Sequence, residues 1–439
     1  MALVEVVGVG FVGLTTAVMA ARSGHRVVGL ERDLERLRML QSGKLPFAEP
    51  GLELEMAAEL ASGRLVFHGF DYRSERPAVL VVATPTPTLP SGESDISSVE
   101  SMLSRFWDAD RHALVIVRST LLPGTMESIA AASGSVELAD RLVHWPEFLN
   151  QGKALQEFRR PDRVVIGADS DRAGAGALDL IRSFAIATTR WERVSLRQAE
   201  AVKHFSNAAL AVNQALGAEI ARVCEDIGVD SDGVLACVSA DSRLNADLLR
   251  PRVPLVDSCL AKDLAALTER LSLEGGPSIL STSLKQAELL HVDATQRLAR
   301  HVKAAGDRVK ILLIGAGFAS GVSDANGSLL WKLLPELEGQ EYTVWDPHVG
   351  GEIEQRLRSG LRRDGLAALI GESDVVALLV AHPEVVELDW KPVLSELAGR
   401  GAVVLDFADF FSRRVEGADD GGRVVHAFGN TLECSVCVE

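Results

Sequence analysis

At 439 residues, with 47% apolar and 24% charged side chains, the chain is long enough for two to four domains whose cores need neither disulfides nor metal. That usage excludes a disordered chain, a collagen-like repeat and a disulfide scaffold. Its 45 Lys and Arg against 61 Asp and Glu give a net charge of −16, which argues against nucleic acid as a partner but leaves room for a small anion held by backbone amides.

The N-terminal run MALVEVVGVGFVGL lacks a basic leader and carries Glu5 inside its apolar stretch, so it reads as strand and helix rather than as a signal peptide. No apolar run reaches the roughly 18 residues of a membrane helix, so no membrane partner is expected. ALVEVVGVG, RVVGLE, AVLVVATP and ALVIVRST are Val-, Ile- and Leu-rich runs that end in turn residues, with helical patterns such as DLERLRMLQSG between them. This alternation predicts a parallel sheet covered by helices on both faces.

In the first turn, Gly8, Gly10 and Gly13 follow a strand directly and open a helix. The first glycine permits the tight turn, the second lets backbone approach a pyrophosphate, and the third lets helix and strand pack closely. The next strand ends in Glu31, 23 positions after Gly8, where a carboxylate accepts from ribose hydroxyls and repels a 2′-phosphate. The pattern points to NAD rather than NADP, a preference that Arg32 weakens slightly.

From about Ser195 the texture changes. RQAEAVKHFSNAALAVNQALGAEIARVCEDIGV is a long helical pattern that suits a dimer spine, and helical character continues to about Arg300. Cys224 and Cys237 fall in apolar helical patterns and read as core. Cys259 opens another amphipathic run, with Lys262 and Asp263 three and four residues on and so on its face. A helix start and a nearby ammonium both favour a thiolate. Alternation then restarts with KILLIGAG, YTVWDP, VVALLVA and AVVLDF. The turn at Gly315–Phe318 lacks the third glycine and reads equally as a nucleotide-facing turn or as packing. Cys434 and Cys437 form a lone CxxC with no second pair, so no metal site is expected. Cysteine usage fits a cytoplasmic location. The fold class is therefore α/β: an N-terminal Rossmann-like parallel sheet (1–195), a central helical domain with a long helix (196–300) and a second Rossmann-like α/β domain (301–439).

Over nearly its whole length the chain resembles the UDP-glucose/GDP-mannose dehydrogenases, which oxidise the C6 alcohol of a nucleotide-sugar to a carboxylate with NAD. The resemblance rests on GVGFVGL, LPFAEPGL, VVATPTPT, RSTLLPGT, WPEFLNQGKALQEFRRPDRVVIGA, AEAVKHFSNAAL and SCLAKDLAAL, in that order. It implies that Cys259 is a nucleophile forming a thioester, and that Lys203 and Asn207 stabilise an oxyanion. It further implies that Asp263 holds water or takes the alcohol proton, that Glu147 is a base for hydrolysis, and that Thr120 positions water near the nicotinamide. For the cofactor it implies Gly8, Gly10, Phe11, Val12, Gly13, Glu31, Thr84, Pro85, Thr120 and Lys262. For the substrate it implies Glu147, Phe148, Leu149, Lys203, Asn207 and Arg243, the last a cross-subunit arginine. A homodimer through the central helical domain is likewise implied.

The departures concern the substrate cradle. The family's PGxGFGGSC loop is replaced by PRVPLVDSC from Pro251 to Cys259, with Arg252, Pro254, Val256 and Asp257 at its glycines. Ala319, Asn326 and Ala408 stand where the family has cations, and Gln151 replaces a second glutamate. Each lost charge-assisted hydrogen bond is worth roughly 1.5–3 kcal/mol. Arg250 and Arg252 are new cations nearby. The expected activity is a nucleotide-sugar 6-dehydrogenase. The alternatives are the same chemistry on a nucleoside 5′-phosphate or another phosphorylated alcohol, and a degenerate non-catalytic homologue.

Overall fold

The computed structural model describes residues 1–439 except 74–78, 88, 90–93, 185, 189, 242–243, 245–248, 250–257, 273–277, 307, 326, 351, 358–359, 412–423 and 427–439. The side chains of 258–259, 270–272, 352 and 424–426 are also outside the description. The chain divides into two compact units, Met1–Asn207 and Ala208–Glu439.

Among the described residues of the first unit, eight strands form one sheet: β1 (Leu3–Val7), β2 (Arg26–Leu30), β3 (Leu65–His68), β4 (Val79–Val82), β5 (Leu114–Val117), β6 (Leu142–His144), β7 (Val164–Gly167) and β8 (Trp191–Val194). Their spatial order is β3-β2-β1-β4-β5-β6-β7-β8. Strand alternation sends Val4, Val6, Val79 and Val81 into one core, and Val7, Leu80 and Val82 into the other. Both faces are covered, which is why these strands read as continuous apolar runs. The parallel expectation needs one correction: β6 pairs β7 antiparallel, His144 opposite Gly167. Between them the chain turns back through a short helix, Ala154–Arg159, instead of making a full crossover.

Helix α1 (Phe11–Arg22) follows β1, and α2 (Leu34–Gln41), capped by Asp33, follows β2. Helix α3 (Thr125–Ser133) follows β5. The long helical pattern is a single 32-residue helix, α4 (Leu196–Ile227), ended by Gly228 at φ +70°.

In the second unit, α5 (Ser231–Ser239), α6 (Ser258–Ser272) and α7 (Ile279–Ala305) complete the helical region. Alanines 208, 211, 215 and 218 of α4 pack with Leu260, Leu264 and Leu267 of α6 and Leu290 of α7. Cys224 is buried as expected, but Cys237 is exposed. Helix α5 buries Ser231 and Leu235, one turn apart, and Cys237 lies two residues, about 200°, further round.

A second sheet contains β9 (Ile311–Ile314), β10 (Tyr342–Trp345), β11 (Leu361–Arg362), β12 (Val375–Leu378), β13 (Val403–Asp406) and β14 (Val424–His426). Its order is β11-β10-β9-β12-β13-β14, with every pair parallel. It repeats the strand order of the first six strands, so both lobes have the doubly wound topology. No described helix is long and apolar enough to cross a membrane.

Candidate active site

In a doubly wound sheet, ligands bind beyond the strand ends where the order reverses, here between β1 and β4. The three glycines sit at that point, and their surroundings separate their roles. Gly8 has φ +85°, and a Cβ there would meet Ala83 O at 2.9 Å. A Cβ on Gly13 would lie 1.9 Å from Gly8 O. At Gly10 the nearest atom is Arg36 Nη2 at 4.0 Å, so its backbone is open to a ligand. Gly10 is the N-cap of α1 and offers no side-chain cap, which leaves the first-turn amides around Phe11 and Val12 for an anion. Glu31 follows β2, and its Oε1 accepts from Arg32 N at 2.8 Å and Asp33 N at 3.0 Å. Thr84 precedes exposed Pro85, and its buried Oγ1 has no hydrogen-bond partner. Ser119 Oγ donates to Thr84 O at 2.7 Å, and Thr86 Oγ1 donates to Thr120 O at 3.0 Å, tying the two turns together.

Five further expected residues meet in the same unit. Helix α4 carries Lys203 and Asn207 one turn apart, both buried. Lys203 Nζ lies 3.1 Å from Glu147 Oε1, and Glu147 Oε2 accepts from Leu149 N at 2.7 Å. The Lys203 ammonium stands 5.5 Å from the Phe148 ring centre, and the Arg163 guanidinium 4.2 Å from it. The segment Trp145–Asn150 also borders a cavity of about 290 Å³ with Arg118 and Arg163 in its wall.

Three buried groups around this cluster were not singled out from the sequence, although each lies in or beside a quoted motif. Arg118 stacks on Trp145 at 3.7 Å, and its Nε and Nη1 have no hydrogen-bond partner. Burial pulls its pKa down to about 10, against the opposing charge of Glu147. His144 is fully buried, which lowers it to about 3 and keeps it neutral, with Nδ1 3.1 Å from Val117 O. Glu200, one turn before Lys203, is pushed up to about 7 by burial. Only burial tells such groups from solvated ones, and burial depends on packing between distant segments.

In the second unit, Cys259 is the second residue of α6, with its side chain outside the described set. Lys262 Nζ lies 3.2 Å from Asp263 Oδ1, and Asp263 is buried. Arg243, Arg250, Arg252, Pro254, Val256, Asp257, Asn326, Cys434 and Cys437 lie outside the described residues. The second glycine turn is a packed one. A Cβ on Gly315 would sit 2.5 Å from Val380 Cβ. The amides of Ala316 and Gly317 donate to Asp346 Oδ2 at 2.7 and 3.0 Å. Burial pushes the Asp346 carboxyl up, but His382 and the amides of Gly317 and His348 outweigh it and hold it well below the usual range. Among the described residues no group of three or more His, Cys, Asp or Glu could hold a metal ion.

Residues 2–185 match the UDP-glucose/GDP-mannose dehydrogenase family's NAD binding domain, and residues 197–287 match its central domain. Together these cover more than half of the chain. A UDP-glucose 6-dehydrogenase of Pseudomonas aeruginosa is 29% identical over 402 residues, covering 88% of this chain and 87% of its own. A GDP-mannose 6-dehydrogenase of Azotobacter vinelandii is 28% identical, covering 95% and 99% respectively. The solved structure of a UDP-glucose dehydrogenase from the archaeon Pyrobaculum islandicum superposes with a TM-score of 0.81 at 28% identity, covering 97% of each chain.

Proposed function

The chain belongs to the UDP-glucose/GDP-mannose dehydrogenase family, and on that premise we propose that it oxidises the primary alcohol of a nucleotide-sugar to a carboxylate through a thioester on Cys259. The observation that carries this reading is the ion pair between buried Lys203 and half-buried Glu147, with Asn207 one turn on, in the same unit as the open glycine turn. Region 1–195 binds NAD, 196–300 carries the central helices, and 301–439 takes the nucleotide end of the substrate.

The residues present fit the cofactor. Gly10 is open, the amides of Phe11 and Val12 have no side-chain cap, and Glu31 is placed for ribose hydroxyls. Gly8 and Gly13 shape the turn, while Thr84, Pro85, Thr120 and Lys262 complete the set. Bound NAD⁺ supplies the two-electron acceptor for each oxidation. Asp263 takes the alcohol proton as the aldehyde forms. The Cys259 thiolate adds to the aldehyde carbon, and Lys203 and Asn207 stabilise the oxyanion. After the second oxidation, Glu147 takes a proton from water as it attacks the thioester. The C–S bond breaks with its electron pair on sulfur, restoring the Cys259 thiolate and releasing the acid, which ionises to carboxylate. Phe148 and Leu149, with Arg243, Arg250 and Arg252, contact the substrate. A free thiol nucleophile suits the reducing cytoplasm.

A specific observation favours a second substrate class, a nucleoside 5′-phosphate or another phosphorylated alcohol. Ala319 and Ala408 stand where family members carry cations, and the amides of the Gly315 turn are already satisfied by Asp346. A panel of UDP- and GDP-sugars and nucleoside 5′-phosphates, followed by NADH absorbance, separates the two. Turnover of a nucleotide-sugar supports the first, and turnover of the monophosphates alone supports the second.

The protein pairs with a second copy through α4. Ala208, Ala211, Ala215 and Ala218 of this helix are buried. Another side presents Phe205, Ala209, Val212, Leu216, Ile220, Val223 and Ile227 at spacings of three and four. Phe205 is 56% exposed and Ile227 66%, which gives an apolar stripe of the kind that packs helix on helix.

A further inference from the structure

We propose that Glu200 is a positioning residue whose carboxylate clasps α3 to α4, fixing Lys203 and Asn207 relative to the turn that carries Thr120. The proposal rests on the roles given above to those three residues. Helix α3 begins at Thr125, and its N-cap, Gly124, sits at φ +95° with no side chain to cap the first amides. Glu200, completely buried, supplies that cap from 76 residues away. Its Oε2 accepts from Gly124 N at 2.6 Å, and its Oε1 accepts from Met126 N at 2.8 Å. Both are amides that a helix start leaves without partners. A carboxylate there also meets the positive end of the helix.

The clasp lies between two groups of candidate site residues. On one side, α4 carries Lys203 one turn and Asn207 two turns beyond Glu200. On the other, Ser119 and Thr120 begin the segment that leads to Gly124, and both are hydrogen-bonded to the Thr84–Thr86 turn. Arg197, one turn before Glu200, pairs with Glu127 of α3 and flanks the same junction. A displacement of α4 against this segment would move the oxyanion-stabilising groups, and a shift of about 1 Å is enough to cost orders of magnitude in rate.

Both amides are satisfied only when Glu200 is ionised, because the neutral acid turns a hydroxyl toward one of them. The groups facing the carboxylate are the Gly124 and Met126 amides, Glu127 of α3 and Arg197 of α4, while His204 of α4 meets the Glu200 backbone carbonyl. Burial raises Glu200 to about 7 against the pull of those amides. Folding therefore favours the neutral form. Its contribution to stability is present below the unfolded value and lost as pH rises through about 7. Activity and stability consequently move in opposite directions across neutrality.

The test compares wild type with Glu200→Gln and Glu200→Asp, reading kcat, KM for NAD⁺ and thermal stability from about pH 5.5 to about pH 8.5, roughly one and a half pH units on either side of the Glu200 value. The expected result is a wild-type kcat that rises through about pH 7 while melting temperature falls. Glu200→Gln should lower kcat roughly tenfold, with KM for NAD⁺ within about twofold, and flatten both profiles. Glu200→Asp should recover part of kcat and keep a pH slope. A Glu200→Gln enzyme with wild-type kcat and an unchanged pH profile overturns the proposal. If wild type reduces NAD⁺ with no nucleotide substrate, the functional reading fails, and the clasp is then judged by amide exchange alone. Faster exchange at Gly124 and Met126 in Glu200→Gln, with the sheet still protected, supports it, and equal exchange overturns it.

Discussion

Lys203 is a buried ammonium with a carboxylate 3.1 Å away and an aromatic ring beside it, so its charge is balanced without solvent. Replacing it with methionine keeps the apolar stem and removes the charge. The expected loss in kcat is on the order of 10²–10³-fold, read by steady-state kinetics on protein whose circular dichroism matches wild type. His144 gives a pH prediction of a different kind. Its folded pKa, about 3, lies below the unfolded value near 6.5. Its contribution to stability is present above the unfolded value and is lost as pH falls through the folded one. Thermal unfolding followed from pH 7 to pH 4 should show His144→Gln losing less stability than wild type (an interval of about three pH units within that window). Parallel curves would assign the acid sensitivity elsewhere. Lys203 and Asn207 were legible through the family resemblance of the AEAVKHFSNAAL segment, their four-residue spacing then placing both on one helix face. The neutral state of His144 was illegible, because it follows from complete burial, against the opposing hydrogen bond to Val117 O, and not from any neighbour in sequence.

At the scale of elements, the glycine turn separates a ligand-facing position from packing positions. Gly13→Ala places a methyl 1.9 Å from a carbonyl oxygen, so the turn must open. It should cost about 1–3 kcal/mol of stability as well as NAD⁺ binding. Gly10→Ala meets no atom closer than 4.0 Å, so its melting temperature should stay within about 2 °C while NAD⁺ affinity falls at least about tenfold. Calorimetric melting and fluorescence titration read both, and equal melting losses would contradict the assignment. The turn was legible because strand, glycine spacing and terminal acid coincide within about 30 residues. The antiparallel β6–β7 contact was not, because a three-residue strand carries too little periodicity to show its direction. The second glycine turn stayed ambiguous for a similar reason. Asp346, which satisfies its amides, is 30 residues away in sequence.

At the scale of the molecule, the two α/β lobes share one strand order and differ at their turns. The first leaves amides uncapped at the crevice, whereas the second satisfies its own with Asp346. Alternating strands and helices made both lobes readable, and the long helix stood out by its length and lack of breakers. The exposed stripe on α4 gives a further prediction. In the proposed dimer, Leu216→Glu places a charge in the middle of it and should shift sedimentation from dimer to monomer; a wild-type monomer would contradict the pairing, and an unchanged dimer would move the interface elsewhere. The net charge of −16 also gains meaning at this scale, since substrate phosphates must be held by local donors against the average field. In the proposed reaction one chain carries an alcohol through to a carboxylate with two oxidations. Product analysis by mass spectrometry, with NADH counted in the same reaction on a nucleotide-sugar, tests it most directly. The expected result is two NADH for each carboxylate formed, and a Cys259→Ser enzyme that makes none. One NADH per molecule, with an aldehyde or ketone as the released product, would contradict it.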